Sequence, residues 1–196
     1  MQASIEIFLN SVKEICPDIS EEYLLYFASK VSVQELNKKE YFAHAEKVQK
    51  SIGFITKGLV RAYFIDPDGD EKTVGFYAEG DYATHYPAFI AQKPSRYFIQ
   101  CLEPTSMICL SFENQQLLYK YSPIFERYGR IVAEEVLKAQ QNRIESFIFE
   151  TPEERYLNFM QSNSALFNRI SLSHLCSFLG IERQSLTRIR QRISHQ

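Results

Sequence analysis

Residues 170–193, ISLSHLCSFLGIERQSLTRIRQRI, decide how this chain is organised. Leu172, Leu175 and Leu179 share one face of a short first helix, and Cys176 is small enough for a second helix to cross close by. Gly180 falls at the turn, where a positive φ costs glycine least. Leu186, Ile189 and Ile193 then recur at i, i+3 and i+7, the inner face of a second helix. The spacing predicts a helix-turn-helix. Its outer face carries Arg183, Gln184, Thr187, Arg188 and Arg190. Arginine and glutamine have the donor and acceptor geometry that matches guanine and adenine edges in the major groove. A solvated helix also exposes arginines; the glycine in register and the clustering of arginine with glutamine favour a DNA-reading helix.

Charge is distributed to match. Residues 151–196 hold six arginines against three glutamates, a surplus of three positive charges that leaves five negative ones on the rest of a chain whose net charge is −2. A basic end on an acidic body suits a DNA-contacting module tethered to something that does not touch DNA. No apolar run approaches the roughly 20 residues a membrane span needs. The first residues, MQASIEIFLNSVKEIC, lack the basic-then-apolar pattern of a signal peptide, so a cytoplasmic protein is expected, with no membrane partner. Cys16, Cys101, Cys109 and Cys176 are scattered without ligand spacing, so neither zinc nor an iron–sulfur cluster is expected.

Upstream, the periodicity changes twice. Ile5, Phe8, Leu9 and Val12 mark a helix broken at Pro17-Asp18, and Ile19, Tyr23, Leu24 and Phe27 mark a second. From Val31 to Phe112, short β-branched and aromatic runs alternate with turn residues. Strands are expected in Ile52–Ile65 with a break at Gly58, in Thr73–Tyr77, in Tyr97–Leu102 and in Ser106–Phe112, and Asp66-Pro67-Asp68-Gly69 is a turn. Many short strands indicate a small sandwich or jelly roll. Helix returns after Phe112, and Pro123 starts a run of about 25 residues, ~38 Å long. Its stripe Ile124, Tyr128, Ile131, Val132, Val136, Ala139 and Arg143, with Phe147 and Ile148 beyond, is the expected face of a homodimer. The alternative is packing wholly within its own subunit. Thr151-Pro152-Glu153-Glu154 reads as a capped helix start and a domain boundary. Tyr156, Leu157, Phe159 and Met160 follow as the residues to pack under the helix pair.

This order of elements resembles the Crp/Fnr transcription regulators, which are cAMP-receptor-protein-like, over nearly the whole chain. The likeness rests on IGFITKGLVRAYFIDPDGDEKTVGFYAEGDY, with turns at Lys57-Gly58, Asp66 to Gly69 and Gly80-Asp81, and on residues 170–193. TPEERY and SFLGIERQSLTRIR look like the branch common in Bacteroidetes. The resemblance implies an α+β chain: a cyclic-nucleotide-binding-like β-roll (1–122), a dimerisation helix (123–150) and a helix-turn-helix (151–196). It implies a homodimer on double-stranded DNA, with half-sites about one helical turn apart in a near-palindrome, and RNA polymerase as a further partner. The family's base-reading positions fall on Arg183, Gln184 and Arg188. The middle one is commonly glutamate, which accepts from cytosine, whereas glutamine pairs with adenine; a half-site differing from the TGTGA type at that base is expected. Ser171, Ser173, Ser185, Thr187 and Arg190 are candidates for phosphate contacts. Members often continue into a wing beyond the reading helix, but only Ser194, His195 and Gln196 follow here, so weaker non-specific binding, or backbone contacts from Arg169, is expected.

The same resemblance separates this chain from cyclic-nucleotide binders. Those use a glutamate on the ribose and an arginine on the cyclic phosphate; aligned from Gly80-Asp81, these positions hold His85 and Ser95. Arg96 is one residue away, which in a strand points to the opposite face. His85, Tyr86, Ser95, Arg96 and Tyr97 are therefore expected to line a site for an unidentified small-molecule effector other than cAMP, with no cofactor required. A cyclic-nucleotide-responsive regulator is the alternative, reachable if a bulge restores Arg96. A cupin-like metal enzyme would need alternating histidines with a carboxylate; His44 and Glu46 lie far from His85, and no nucleophile–base pair appears. Haem or redox sensing, and a helix-turn-helix used only for protein binding, are further readings that the residues favour less.

Overall fold

The computed structural model describes residues Gln2–Ser194. His195 and Gln196, on which the expectation about a wing depends, lie outside the described residues. Among these residues, α1 (Gln2–Ile15) and α2 (Glu21–Ala28) precede eight strands: β1 (Val31–Leu36), β2 (Tyr41–Ala43), β3 (Ser51–Lys57), β4 (Val60–Ile65), β5 (Glu71–Tyr77), β6 (Tyr82–Ala83), β7 (Phe98–Cys101) and β8 (Thr105–Ser111). A short helix, α3 (Tyr86–Ala91), separates β6 from β7. Then follow α4 (Phe112–Tyr121), α5 (Pro123–Phe149), α6 (Pro152–Ser162), α7 (Ser164–Phe167), α8 (Leu172–Leu179) and α9 (Arg183–Ser194). The strands form two four-stranded sheets, ordered β1-β8-β3-β6 and β2-β7-β4-β5. The expected α+β architecture, with a β-roll, a long helix and a C-terminal helix-turn-helix, is present. Helix α3 carries no sequence signature: six residues with Pro87 in the first turn are too few to show a helical period inside an aromatic run.

The chain divides into two compact units. One comprises Met1–Ala62 and Phe76–Val136; the other comprises Tyr63–Gly75 and Leu137–Gln196. Strands β4 and β5 thus run from the first unit into the second, carrying the tip of their hairpin with them.

In the first unit, β3 pairs antiparallel with β8, placing Phe54 opposite Ile108. These two side chains share a core with Phe8 and Val12 of α1, Phe27 of α2, Leu118 of α4, and Phe125, Tyr128 and Val132 of α5. Phe27 makes edge contacts with Phe8 at 5.1 Å and with Phe125 at 5.4 Å between ring centroids. Such aromatic pairs add about 0.5–1.5 kcal/mol each beyond the area they bury. Gly58 closes the β3–β4 turn at φ +104°, and a Cβ there would meet the Pro104 carbonyl at 2.7 Å. Its N–H donates to Glu79 Oε1 at 2.8 Å.

This core corrects one expectation. Tyr128 and Val132, assigned to the dimer face, are 6% and 7% exposed and pack inside their own unit. Ile124 packs against the same cluster. Helical spacing alone does not distinguish the apolar face of α5 that packs inside the first unit from the one left exposed. The second apolar face carries Leu137, Ile144 and Ile148, at 66%, 54% and 66% exposure, spaced i, i+7 and i+11.

Candidate DNA-reading surface and effector site

The second unit is built on caps. Thr151 forms a full capping box with Glu154 at the start of α6, and hydrogen bonds from the Thr151 backbone and hydroxyl hold the Glu154 carboxyl below its usual range. Tyr156 and Phe159 of α6 are buried, and the Phe159 ring lies 5.6 Å from that of Phe178. Ser171 caps α8, accepting from the His174 N–H at 3.2 Å. Gly180 ends α8 in the left-handed region at φ 63°, the conformation that lets α9 turn away. Leu175, Cys176 and Leu179 of α8, with Ile181, Leu186 and Ile189, are the buried seam between the two helices.

The seam fixes what α9 shows to solvent. Arg183, Gln184, Thr187 and Arg188 are exposed opposite Leu186 and Ile189, with Arg183 and Gln184 in the first turn. Base edges are reached from that N-terminal turn in helix-turn-helix proteins. The residues expected to touch phosphate are less uniform. Ser171 and Ser173 are exposed and sit together, 3.1 Å apart at their hydroxyls, at the start of α8. Arg190 is exposed, its guanidinium 5.9 Å from the centre of the Phe167 ring. Ser185 is half-buried. Thr187 donates its hydroxyl proton to the Arg183 carbonyl at 3.0 Å, so it offers a phosphate only an acceptor in this rotamer.

Two arginines that the sequence did not single out for this part close the end of α8. Arg143 of α5 donates to the Phe178 carbonyl at 2.9 Å and to the Thr73 carbonyl of β5 at 3.2 Å. Arg155 of α6 donates from Nε to the Leu179 carbonyl at 2.9 Å. Ser177 of α8 accepts from the Thr73 N–H at 2.9 Å and donates to the Glu71 carbonyl at 3.0 Å. The hairpin tip is itself well tied: Asp66 accepts from the N–H groups of Asp68 and Asp70, and the latter bond chiefly lowers its carboxyl pKa.

In the first unit, three of the five expected effector residues come together. His85 Nδ1 lies 2.9 Å from Ser95 Oγ, the Tyr97 N–H donates to the same oxygen at 2.9 Å, and the His85 and Tyr97 rings are 4.3 Å apart. Ser95 is buried. Burial holds the His85 pKa below its ordinary value, and the nearby Arg96 charge adds to the effect. Arg96 is exposed, but in a bend ahead of β7 and not in a strand, so the alternation expected from the sequence is not what exposes it. Gln49, buried and without a periodic signal, accepts from the His85 N–H at 2.9 Å. Tyr86 departs from the expected group. It lines a separate aromatic cavity of about 30 Å³ with Tyr82, Tyr119 and Tyr128, below sheet β1-β8-β3-β6. That volume holds about two waters and is far below a ligand pocket of about 300 Å³. Arg61 of β4 is fully buried.

Among the described residues, no group of three or more histidine, cysteine or acidic side chains is arranged to hold a metal. His44 stacks on Tyr41 at 4.6 Å and meets the Phe98 ring. No described helix is long and apolar enough to cross a membrane.

Residues 33–120 match the family model of the cyclic nucleotide-binding domain. Among solved structures, FixK2 from Bradyrhizobium japonicum superposes with a TM-score of 0.74 at 14% identity, over 85% of each chain. The c-di-GMP-responsive global regulator CLP of Xanthomonas campestris gives 0.69 at 14% identity, over 90% of this chain and 92% of its own. The catabolite activator protein of Thermus thermophilus gives 0.58 at 14% identity, over 92% and 86%. No curated protein sequence matches. At these identities the likeness is one of fold. Residues 33–120 are thus similar to the cyclic nucleotide-binding domain, and the chain shares its fold with FixK2, CLP and the catabolite activator protein.

Proposed function

We propose that this protein is a sequence-specific DNA-binding transcription regulator of the Crp/Fnr type, acting as a homodimer on a near-palindromic operator. The observation that carries this reading is the first turn of α9, where Arg183 and Gln184 stand exposed above a buried seam, followed by Arg188 one turn on. Arginine to guanine and glutamine to adenine are the base contacts assigned to them, with Ser171, Ser173 and Arg190 meeting phosphates. Leu137, Ile144 and Ile148 replace Tyr128 and Val132 as the apolar stripe on which two copies of α5 would pair.

The effector is proposed to bind at His85, Ser95 and Tyr97 and not to be a cyclic nucleotide. These three side chains offer neutral hydrogen-bonding groups where a cyclic phosphate would need a cation, and Arg96 is exposed to solvent. CLP, whose fold this chain shares, is a c-di-GMP-responsive global regulator, which lends the reading a setting. Selection of random duplex DNA by the full-length protein tests the proposal. Recovery of a near-palindrome is the expected result; salt-sensitive retention of every sequence alike would remove the base-reading role.

A further inference from the structure

We propose that Arg143 and Arg155 are positioning residues for the DNA-reading turn. The inference rests on α9 reading DNA. A helix leaves its last carbonyls without internal partners and gathers partial negative charge there. At the end of α8 these carbonyls are Phe178 and Leu179, and each is met by a guanidinium from a different helix. The two cations are also stacked. Arg143 lies 4.0 Å from the Phe178 ring centre and 5.0 Å from that of Phe147, and Arg155 lies 4.8 Å from Phe147. Phe147 in turn covers Gly180, where a Cβ would come within 2.7 Å of its ring.

The consequence is geometric. Leu179 and Gly180 are the residues from which the chain turns into Arg183 and Gln184, so holding their backbone holds the first turn of α9. The hairpin shares the same fastening. Arg143 donates to Thr73 and Phe178 together, and Ser177 bonds both Glu71 and Thr73. Glu71 and Thr73 belong to the part of β5 that lies in the second unit with α8. A lysine at 143 keeps the charge, but its single ammonium cannot lie flat between two rings while donating in the plane to two carbonyls.

The test uses full-length protein and the duplex it selects, alongside a random duplex of equal length. Affinity for both, salt slope and thermal melting are measured for wild type, Arg143→Lys and Ser177→Ala. The expected result is a loss of about tenfold on the selected site for Arg143→Lys and about threefold for Ser177→Ala, with random-duplex affinity and salt slope at wild-type values. Wild-type affinity of both variants for the selected site would overturn the proposal. Equal losses on selected and random DNA that track a lowered melting temperature would also overturn it, leaving only a structural role. A wild type that selects no sequence removes the DNA-reading premise itself, an outcome seen before either variant is assayed.

Discussion

His85 Nδ1 lies 2.9 Å from Ser95 Oγ, a contact that joins the N-cap of α3 to the buried serine ahead of β7. With its pKa lowered by burial and then by Arg96, His85 is uncharged in the folded protein at neutral pH. An unfolded histidine titrates near 6.5. The unfolded chain therefore takes up this proton first as pH falls, so the stability present above the unfolded pKa is lost as pH drops toward the folded one. Melting temperatures from about pH 7 to about pH 5 should fall more steeply for wild type than for His85→Gln. Parallel curves would contradict the assignment.

Cyclic AMP should not bind saturably in calorimetric titration up to about 1 mM, a free energy near −4 kcal/mol. Saturation in the micromolar range, abolished by Arg96→Ala, would mean that Arg96 does reach the site.

The division of α5 into two faces predicts two kinds of variant. Leu137→Glu with Ile144→Glu places charges on exposed apolar positions, and sedimentation should then report a monomer with an unchanged melting temperature. Val132→Ala should leave the sedimenting mass alone and cost about 2 kcal/mol, as deletion of buried methyls does. A dimer split by Val132→Ala and indifferent to Leu137→Glu would reverse the two faces.

Gly180→Ala should destabilise the second unit by about 1–2 kcal/mol, the cost of a left-handed backbone for a residue with a Cβ. The clash with Phe147 adds less, because that ring is 44% exposed and can move. Thr151→Ala should cost about 1 kcal/mol through loss of the capping box. Both are measured in urea, and a negligible change for Gly180→Ala would contradict the αL turn.

Local chemistry was legible in the sequence where it acts over a few residues. The capping box at Thr151 and Glu154, the turn at Asp66 to Gly69, the αL glycine at 180 and the seam Leu186–Ile189 are each written within a turn or two of chain. Long-range partnerships were not. Arg143 reads as one more residue on a helical stripe, and nothing near it announces Phe178, 35 residues on, or Thr73, 70 residues back. Tyr128 and Val132 have dimer-like spacing, yet burial follows from where Phe27 and Phe54 lie. Tyr86 sits next to His85 in sequence but begins α3, and the helical turn takes its ring to another cavity.

The most direct test of base reading by α9 is a second selection from random duplex DNA, using Gln184→Glu beside wild type. The expected result is two near-palindromes that agree except at one base pair per half-site, which changes from adenine to cytosine on the contacted strand. Identical sequences from the two proteins would contradict the placement of Gln184 over a base edge, and with it the reading surface proposed for α9.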